Sequence, residues 1–322
     1  MLATKSLHAH PDQLDHLSIV LRPHAPFRLD LSVWAIRRRP TNLVDRWDGR
    51  TYQRVITVDD RPVNIEVVAA GTPAHPSLRV TASGEVLAQT TRVAVTDALD
   101  RLLGLQIDLR AFYRLANADP LLSLLVAHFR GLKPPRFPTV FEAVVNGIAC
   151  QQLSLTVGII LLARLAQRCG PSITIGATEV HGFPRARDIV GLQSSDLRVL
   201  GFSEAKARAL LELATSVETG LDLESLSELE NEDAIAKLLT LRGIGRWTAE
   251  YVLLRGLGRI NLFPGDDVGA RTNLQRWMKL RTPLDYDRVR YLVRRWHPYA
   301  GFLYFHLLLK RIEESGPLDA VT

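Results

Sequence analysis

The hydrophobic period of the chain changes once, near Asp108. Before that point apolar residues alternate with polar ones: Phe27, Leu29, Leu31 and Val33, then Val55 and Thr57 against Ile56 and Val58, then Val63, Ile65 and Val67, then Leu78 and Val80. Alternation of this kind, broken by Asp59-Asp60, Gly71-Thr72-Pro73 and Ser83-Gly84, predicts antiparallel strands joined by turns. A helical stretch over residues 96–105, carrying Ala98, Leu99, Leu102 and Leu103, is predicted to pack on that sheet. After Asp108 the period is helical to the end. Asp119-Pro120 reads as an N-cap with proline at the first helical position, opening a helix to Phe129. Residues 131–138 (GLKPPRFP) form an extended connector, and Thr139 to Glu142 has capping-box spacing. Further helices are predicted over 195–200, 203–217, 232–240, 246–257, 267–279, 285–295 and 301–312. The fold class is α+β, divided into a flexible tail (1–16), a β-rich N-terminal domain (17–107) and a helical region (108–322).

Residues 143–163 carry no Asp, Glu, Lys, Arg or His, so a membrane span has to be weighed. Asn146, Gln151, Gln152, Ser154 and Thr156 lie in its middle, where a bilayer offers no partners. Two buried helices joined at the glutamines fit better. Cys150 and Cys169 are too few for a disulfide framework, a four-thiolate zinc site or a four-cysteine cluster, and they point to a reducing cytosol. The first residues lack the apolar run of a secretory signal, and His8 and His10 read as tail, not metal ligands. A cytoplasmic protein is expected. Composition is that of a globular chain, 47% hydrophobic and 23% charged, and 40 Lys+Arg against 34 Asp+Glu give a net +6. That surplus is compatible with an anionic partner without requiring one.

Residues 238–251 read LLTLRGIGRWTAEY: an amphipathic helix ends, Gly243-Ile244-Gly245 turns the chain, and a second helix starts at once. Glycine at both ends of the turn allows positive φ and a close approach to bare backbone. With a helix N-terminus behind it, the turn presents amides to an anion such as a phosphate, flanked by Arg242 and Arg246. The plain alternative is a helix-helix turn in which the glycines serve as a C-cap.

The whole string resembles the helix-hairpin-helix DNA glycosylases, and its RWTA resembles the 3-methyladenine DNA glycosylase II branch. Sixteen residues after Thr248 stands Phe263-Pro264-Gly265-Asp266-Asp267, where that family has a proline followed by a short acidic turn with its catalytic aspartate. Residues 141–155 (FEAVVNGIACQQLSL) resemble the family helix ending in the DNA-probing loop. Residues 200–214 (LGFSEAKARALLELA) are similar to the segment after it, and 295–299 (RWHPY) to the family's RWxPW. The likeness covers about 108–310, and it implies a helix-hairpin-helix glycosylase core behind the β domain.

The resemblance assigns catalysis to Asp267. Cleaving an N-glycosidic bond builds positive charge on the sugar, which an ionised carboxylate stabilises while it orients or deprotonates the attacking water. N3- or N7-alkylated purines already carry positive charge and leave without a dedicated acid. Read locally, Asp267 is also an ordinary N-cap facing the positive end of a helix, and Asp266 reads as a cap or an auxiliary charge. Trp247 stands where relatives that also cut the DNA backbone carry a Schiff-base lysine, which implies a monofunctional enzyme leaving an abasic site. Trp247 and Tyr251, four apart on one helix face, have the spacing of a core aromatic pair or of two rings sandwiching a cationic base; the family's pocket tryptophan falls on Leu308, a departure, with Tyr304 one turn earlier and Phe305 beside it. Gln152 aligns with the wedge that fills the gap left by an extruded nucleotide, with Leu153 beside it; the plain reading is a solvated loop. The amides of Gly243 and Gly245, with Thr248, Arg246 and Arg271, are implied to hold phosphates. A sodium or potassium ion on the carbonyls of Leu239, Leu241 and Ile244 rests on the resemblance alone, and no other cofactor is expected. The implied partner is double-stranded DNA with alkylated bases, bound by a monomer that touches no membrane. The substrates would be 3-methyladenine and, secondarily, 7-methylguanine. Two competing functions stay open: a non-enzymatic DNA-structure binder, and a glycosylase for oxidised or deaminated bases.

Overall fold

The computed structural model describes residues 14–316. Five antiparallel strands, β1 (Asp15–Leu21), β2 (Arg46–Trp47), β3 (Thr51–Val58), β4 (Arg61–Ala69) and β5 (Leu78–Gly84), form one sheet in the order β1-β5-β4-β3-β2. Asp15 and His16, read as tail from sequence, pair with Gly84 and Ser83, whereas His8 and His10 lie outside the described residues. The β3-β4 connection is a two-residue turn with Asp59 and Asp60 at φ 46° and 63°, the left-handed pair whose twist matches a tight hairpin. Its register sets Ile56 opposite Val63, and β4 in turn sets Val67 opposite Val80.

One predicted strand is a helix. Leu29, Leu31 and Val33 belong to α1 (Leu29–Arg37), in which Leu29, Leu31, Ser32, Val33, Trp34, Ala35 and Ile36 are all buried. A helix immersed on every side has no polar face, so no 3.6-residue period marks it and a chance alternation reads as a strand. Its C-cap, Arg38, sits in the left-handed region at φ 62°. The next helix, α2 (Thr91–Leu103), starts five residues before the predicted Thr96 and stops at Gly104, φ 63°.

Helices α3 (Arg110–Asn117), α4 (Pro120–His128), α5 (Val140–Cys150) and α6 (Leu155–Cys169) follow, with α5 and α6 separated at the glutamines. Among the described residues no helix is long and apolar enough to cross a membrane. The Asp119 carboxylate caps α4 by accepting from the amides of Leu121 and Leu122. Half of the predicted capping box forms: Thr139 Oγ1 accepts from the Glu142 amide at 3.1 Å, but the Glu142 carboxylate turns away to Arg54 Nη2. The helical run is then interrupted, against expectation, by a hairpin of β6 (Ser172–Ile175) and β7 (Thr178–His181). Afterwards come α7 (Ala186–Ile189), α8 (Ser194–Val199), α9 (Glu204–Glu218), α10 (Asn231–Leu239), α11 (Arg246–Arg255), α12 (Val268–Trp277), α13 (Tyr286–Val293) and α14 (Ala300–Glu313). The hydrophobic core runs unbroken from the sheet through α1 and α5 to α11 and α14.

Candidate active site

Three loops converge on one cleft: the α5-α6 loop at Gln151–Ser154, the α10-α11 hairpin and the turn that precedes α12. The cleft encloses about 790 Å³ and is lined by Gln152 and Leu153, by Gly243, Gly245, Trp247 and Thr248, and by Asp266 and Asp267. A second chamber of about 400 Å³ adjoins it, shares Cys150, Leu153, Trp247 and Asp267, and is closed by Tyr304 and Leu308 of α14 and by Arg38. Residues predicted from four separate stretches of sequence therefore face the same space.

The hairpin owes its shape to one glycine more than the other. Gly243 has φ 75°, and a Cβ there would lie 3.0 Å from that of Ala209. Gly245 is extended at φ −100° as the N-cap of α11, and a Cβ on it would meet nothing within 4 Å. Only Gly243 uses the conformational freedom read into both; Gly245 leaves bare backbone at the cleft, where a ligand can approach. Gln151, which sequence reasoning passed over for its neighbour, ties the loop to the hairpin by donating from Nε2 to the Gly243 carbonyl at 2.7 Å and to Thr248 Oγ1 at 2.9 Å. Lys206 braces the same loop, its ammonium donating to the carbonyls of Ala149 and Gln151. Gln152 itself is held at φ 53°, an uncommon conformation for a non-glycine residue and costly unless its surroundings enforce it. Leu153 beside it is 43% exposed.

Asp267 is the N-cap of α12: its Oδ1 accepts from the Ala270 amide at 2.8 Å, leaving the second oxygen without a partner among the described residues. It lines both chambers, whereas Asp266 lines only the larger. In the smaller chamber Asp267 is the sole carboxylate among the described lining residues, facing Arg38, Arg39, Arg276 and Arg311. Burial and then the Asp267 charge push the Tyr304 phenol far up, so its hydroxyl stays protonated beside the carboxylate.

Tyr251 is placed differently from the sequence reading. It is 3% exposed and lines neither chamber. Its ring packs on that of Trp247 with centroids 5.7 Å apart and planes at 37°, too close to admit a base between them. The two rings form one wall, with Trp247 facing the cleft, and burial pushes the Tyr251 phenol up. The Tyr251 hydroxyl accepts from Arg38 Nη1 at 2.9 Å, while Arg38 Nη2 donates to Asn146 Oδ1 at 2.6 Å. Arg38 reaches the chamber from the N-terminal region, and in sequence nothing separates it from Arg37 and Arg39. Thr248 is 1% exposed with its hydroxyl engaged by Gln151, so its side chain is turned to the loop and away from a phosphate. Arg246 is exposed but lines neither chamber, and neither does Arg271, which begins the second turn of α12.

Residues 145–298 match the family described as HhH-GPD superfamily base excision DNA repair protein. A DNA-3-methyladenine glycosylase of Bacillus subtilis is 30% identical over 220 residues, 68% of this chain and 73% of that protein. DNA-3-methyladenine glycosylase 2 of Escherichia coli is 31% identical over 177 residues, 55% and 60% of the two chains. The solved 3-methyladenine DNA glycosylase of Archaeoglobus fulgidus superposes with a TM-score of 0.79 at 28% identity, over 90% of this chain and 97% of that one. A hairpin, an aspartate-bearing turn and a glutamine loop around one cleft, together with these likenesses, place the chain in the 3-methyladenine DNA glycosylase family of the helix-hairpin-helix base-excision repair superfamily.

Proposed function

We propose that the protein is a monofunctional glycosylase that hydrolyses the N-glycosidic bond of 3-methyladenine, and secondarily 7-methylguanine, in duplex DNA and leaves an abasic site. The observation that carries this reading is the Asp267 carboxylate, one oxygen capped and the other free, at the junction of the cleft and the chamber walled by Trp247, Tyr304 and Leu308. Duplex DNA lies against Gly243 and Gly245, whose amides meet phosphates, and Arg246 adds charge at their edge. Extruding a nucleotide costs roughly a few kcal/mol. Gln152 and Leu153 fill the vacated position, the glutamine amide hydrogen-bonding the orphaned partner base. The extruded base stacks against Trp247 where the cleft meets the smaller chamber, beside Asp267. As the glycosidic bond lengthens, positive charge grows on the sugar, and the free Asp267 oxygen stabilises it and takes the proton of the attacking water. A cationic methylpurine departs as a neutral base without needing a proton donor.

Two observations support hydrolysis without strand cleavage. Trp247 cannot form a Schiff base, and the ammonium of Lys206 is engaged by two backbone carbonyls. A monovalent cation at the hairpin belongs to the same proposal. Among the described residues the Leu241 carbonyl accepts from the Ile244 amide alone, at 3.2 Å, and keeps a second lone pair. A sodium or potassium ion on Leu239, Leu241 and Ile244 would supply positive charge next to a bound phosphate.

The test is release of free base from methylated duplex DNA by the wild type and Asp267→Asn at matched DNA binding. Loss of about a hundredfold to a thousandfold in 3-methyladenine release, with binding retained, is the expected result. Binding by both without release by either would favour a DNA-structure binder. Release of neutral oxidised or deaminated bases in place of methylpurines would move the protein to the other glycosylase class.

A further inference from the structure

Glu250 lies on α11, facing away from the cleft, and is 3% exposed. A buried carboxylate is costly unless its oxygens are satisfied. Here each oxygen has one strong partner. Oε1 accepts from the Tyr286 hydroxyl at 2.6 Å, and Oε2 accepts from the backbone amide of Gly265 at 3.0 Å. Gly265 is the third residue of the Phe263–Asp267 turn, two before the free carboxylate of the site. The Tyr286 ring closes the turn from the other side: a Cβ on Gly265 would lie 2.7 Å from its Cδ2. Arg246, the first residue of α11, donates from Nη1 to the same Tyr286 hydroxyl at 2.9 Å and lies over that ring at 5.4 Å. The turn is thus fixed by one ion and one ring, themselves held by an arginine at the edge of the hairpin.

We infer that Glu250, braced by Tyr286, is a positioning residue that holds the turn at Gly265 so that Asp267 points its free oxygen into the cleft. The inference rests on the proposed role of Asp267. Without the ion, the Gly265 amide has no acceptor, and the turn is left with the Asp267 amide bond to the Pro264 carbonyl at 3.1 Å and the cap on α12. A displacement of about 1 Å at a reacting group costs roughly a hundredfold in rate. Glutamine in place of Glu250 keeps an acceptor for the Gly265 amide, and the Tyr286 hydroxyl can turn to accept from its NH₂; alanine keeps neither.

The experiment measures single-turnover release of 3-methyladenine and, separately, affinity for a duplex with an abasic-site analogue. It compares Glu250→Ala, Glu250→Gln and Tyr286→Phe, the glutamate variants made both alone and in the Asp267→Asn background. Glu250→Ala is expected to slow release about a hundredfold, Glu250→Gln by about threefold and Tyr286→Phe by about tenfold, with affinity within about twofold throughout, and neither glutamate variant is expected to slow Asp267→Asn further. Equal-fold losses in both backgrounds, or rate and affinity falling together, overturn the inference. If Glu250→Ala does not fold, an unchanged rate in Tyr286→Phe overturns it instead. Should Asp267→Asn alone release base at the wild-type rate, the assignment of Asp267 has failed, which is read independently of the Glu250 variants.

Discussion

Gly147→Ala is a one-carbon perturbation whose consequences can be worked from the packing. Gly147 sits on α5 where that helix crosses α11, and an added Cβ would lie 2.6 Å from Thr248 Cγ2 and 3.7 Å from Tyr251 Cδ1. The first contact is about 1 Å shorter than an optimal carbon-carbon separation. Thr248 cannot rotate its methyl aside without giving up the 2.9 Å bond from Gln151, which also anchors the hairpin. The helices must separate instead, and α11 carries Trp247 into the cleft. Overpacking costs about 1–3 kcal/mol, while replacing glycine within a helix returns about 1 kcal/mol. The net loss is about 0–2 kcal/mol, and at roughly 1.5 °C per kcal/mol for a chain of 322 residues the melting temperature should drop by about 0–3 °C. Activity should suffer more, with base release slowed about a hundredfold by an ångström-scale shift of Trp247. Thermal melts and single-turnover release on one preparation test both numbers. A variant stabilised by the full helix-propensity gain with an unaltered rate would show that α5 and α11 do not set the geometry of the cleft.

Gln152→Gly relieves a left-handed residue worth about 1–2 kcal/mol and loses about 0.4–1 kcal/mol to the freer unfolded chain, so denaturation should find stability unchanged or slightly raised. Base release should nonetheless slow by at least about tenfold, the rate equivalent of roughly 1.4 kcal/mol of lost gap-filling; a rate equal to wild type would remove the wedge role. Lys133 is fully buried with its ammonium donating to the Leu105 carbonyl at 2.9 Å, and burial pulls it down to about 8. Because the unfolded amine holds its proton to higher pH, the unfolded state binds more protons between the two values and stability rises with pH there. Urea denaturation at pH 7, 8.5 and 10 should show that rise, up to about 3 kcal/mol, and Lys133→Met should flatten it; parallel profiles would contradict the assignment. Glu142→Gln removes one partner of the buried Arg54 and should cost about 3 kcal/mol in urea denaturation, with a loss under 1 kcal/mol refuting the reasoning.

What the sequence makes legible follows from how local each feature is. Asp267 is singled out by the resemblance of its turn to the family's, and it lines the cleft beside the hairpin because one helix separates the two. The joint between α5 and α6 is marked by polar residues inside an apolar run. The β6-β7 hairpin was open to the same kind of reading, since Ile173, Ile175 and Val180 alternate around Gly176, which has φ 60°. Its strands of four residues are too short to stand out between long helical patterns. Tyr251 has the spacing of a pocket residue, but its direction depends on Phe137 and on Arg38, itself held by Asn146, packing around it from distant segments. No local pattern encodes that. Arg38 is the extreme case: among three consecutive arginines, only the C-cap conformation of α1 turns one of them inward.

Two buried arginines tie the β-rich region to the helices. Arg54 of β3, 1% exposed, donates to Asp45 on its own side and to both oxygens of Glu142 on α5. Arg38 crosses the same boundary to Tyr251 on α11 and Asn146 on α5. Neither tie can be cut cheaply. A helical region without the sheet would lose the cation that pairs with Glu142 and would expose the apolar surfaces that now meet α1. The same ties place a guanidinium in the wall of the chamber that Asp267 faces. The N-terminal region thus contributes Arg38 and Arg39 to the lining of the smaller chamber, across the division near residue 107 read from hydrophobic period.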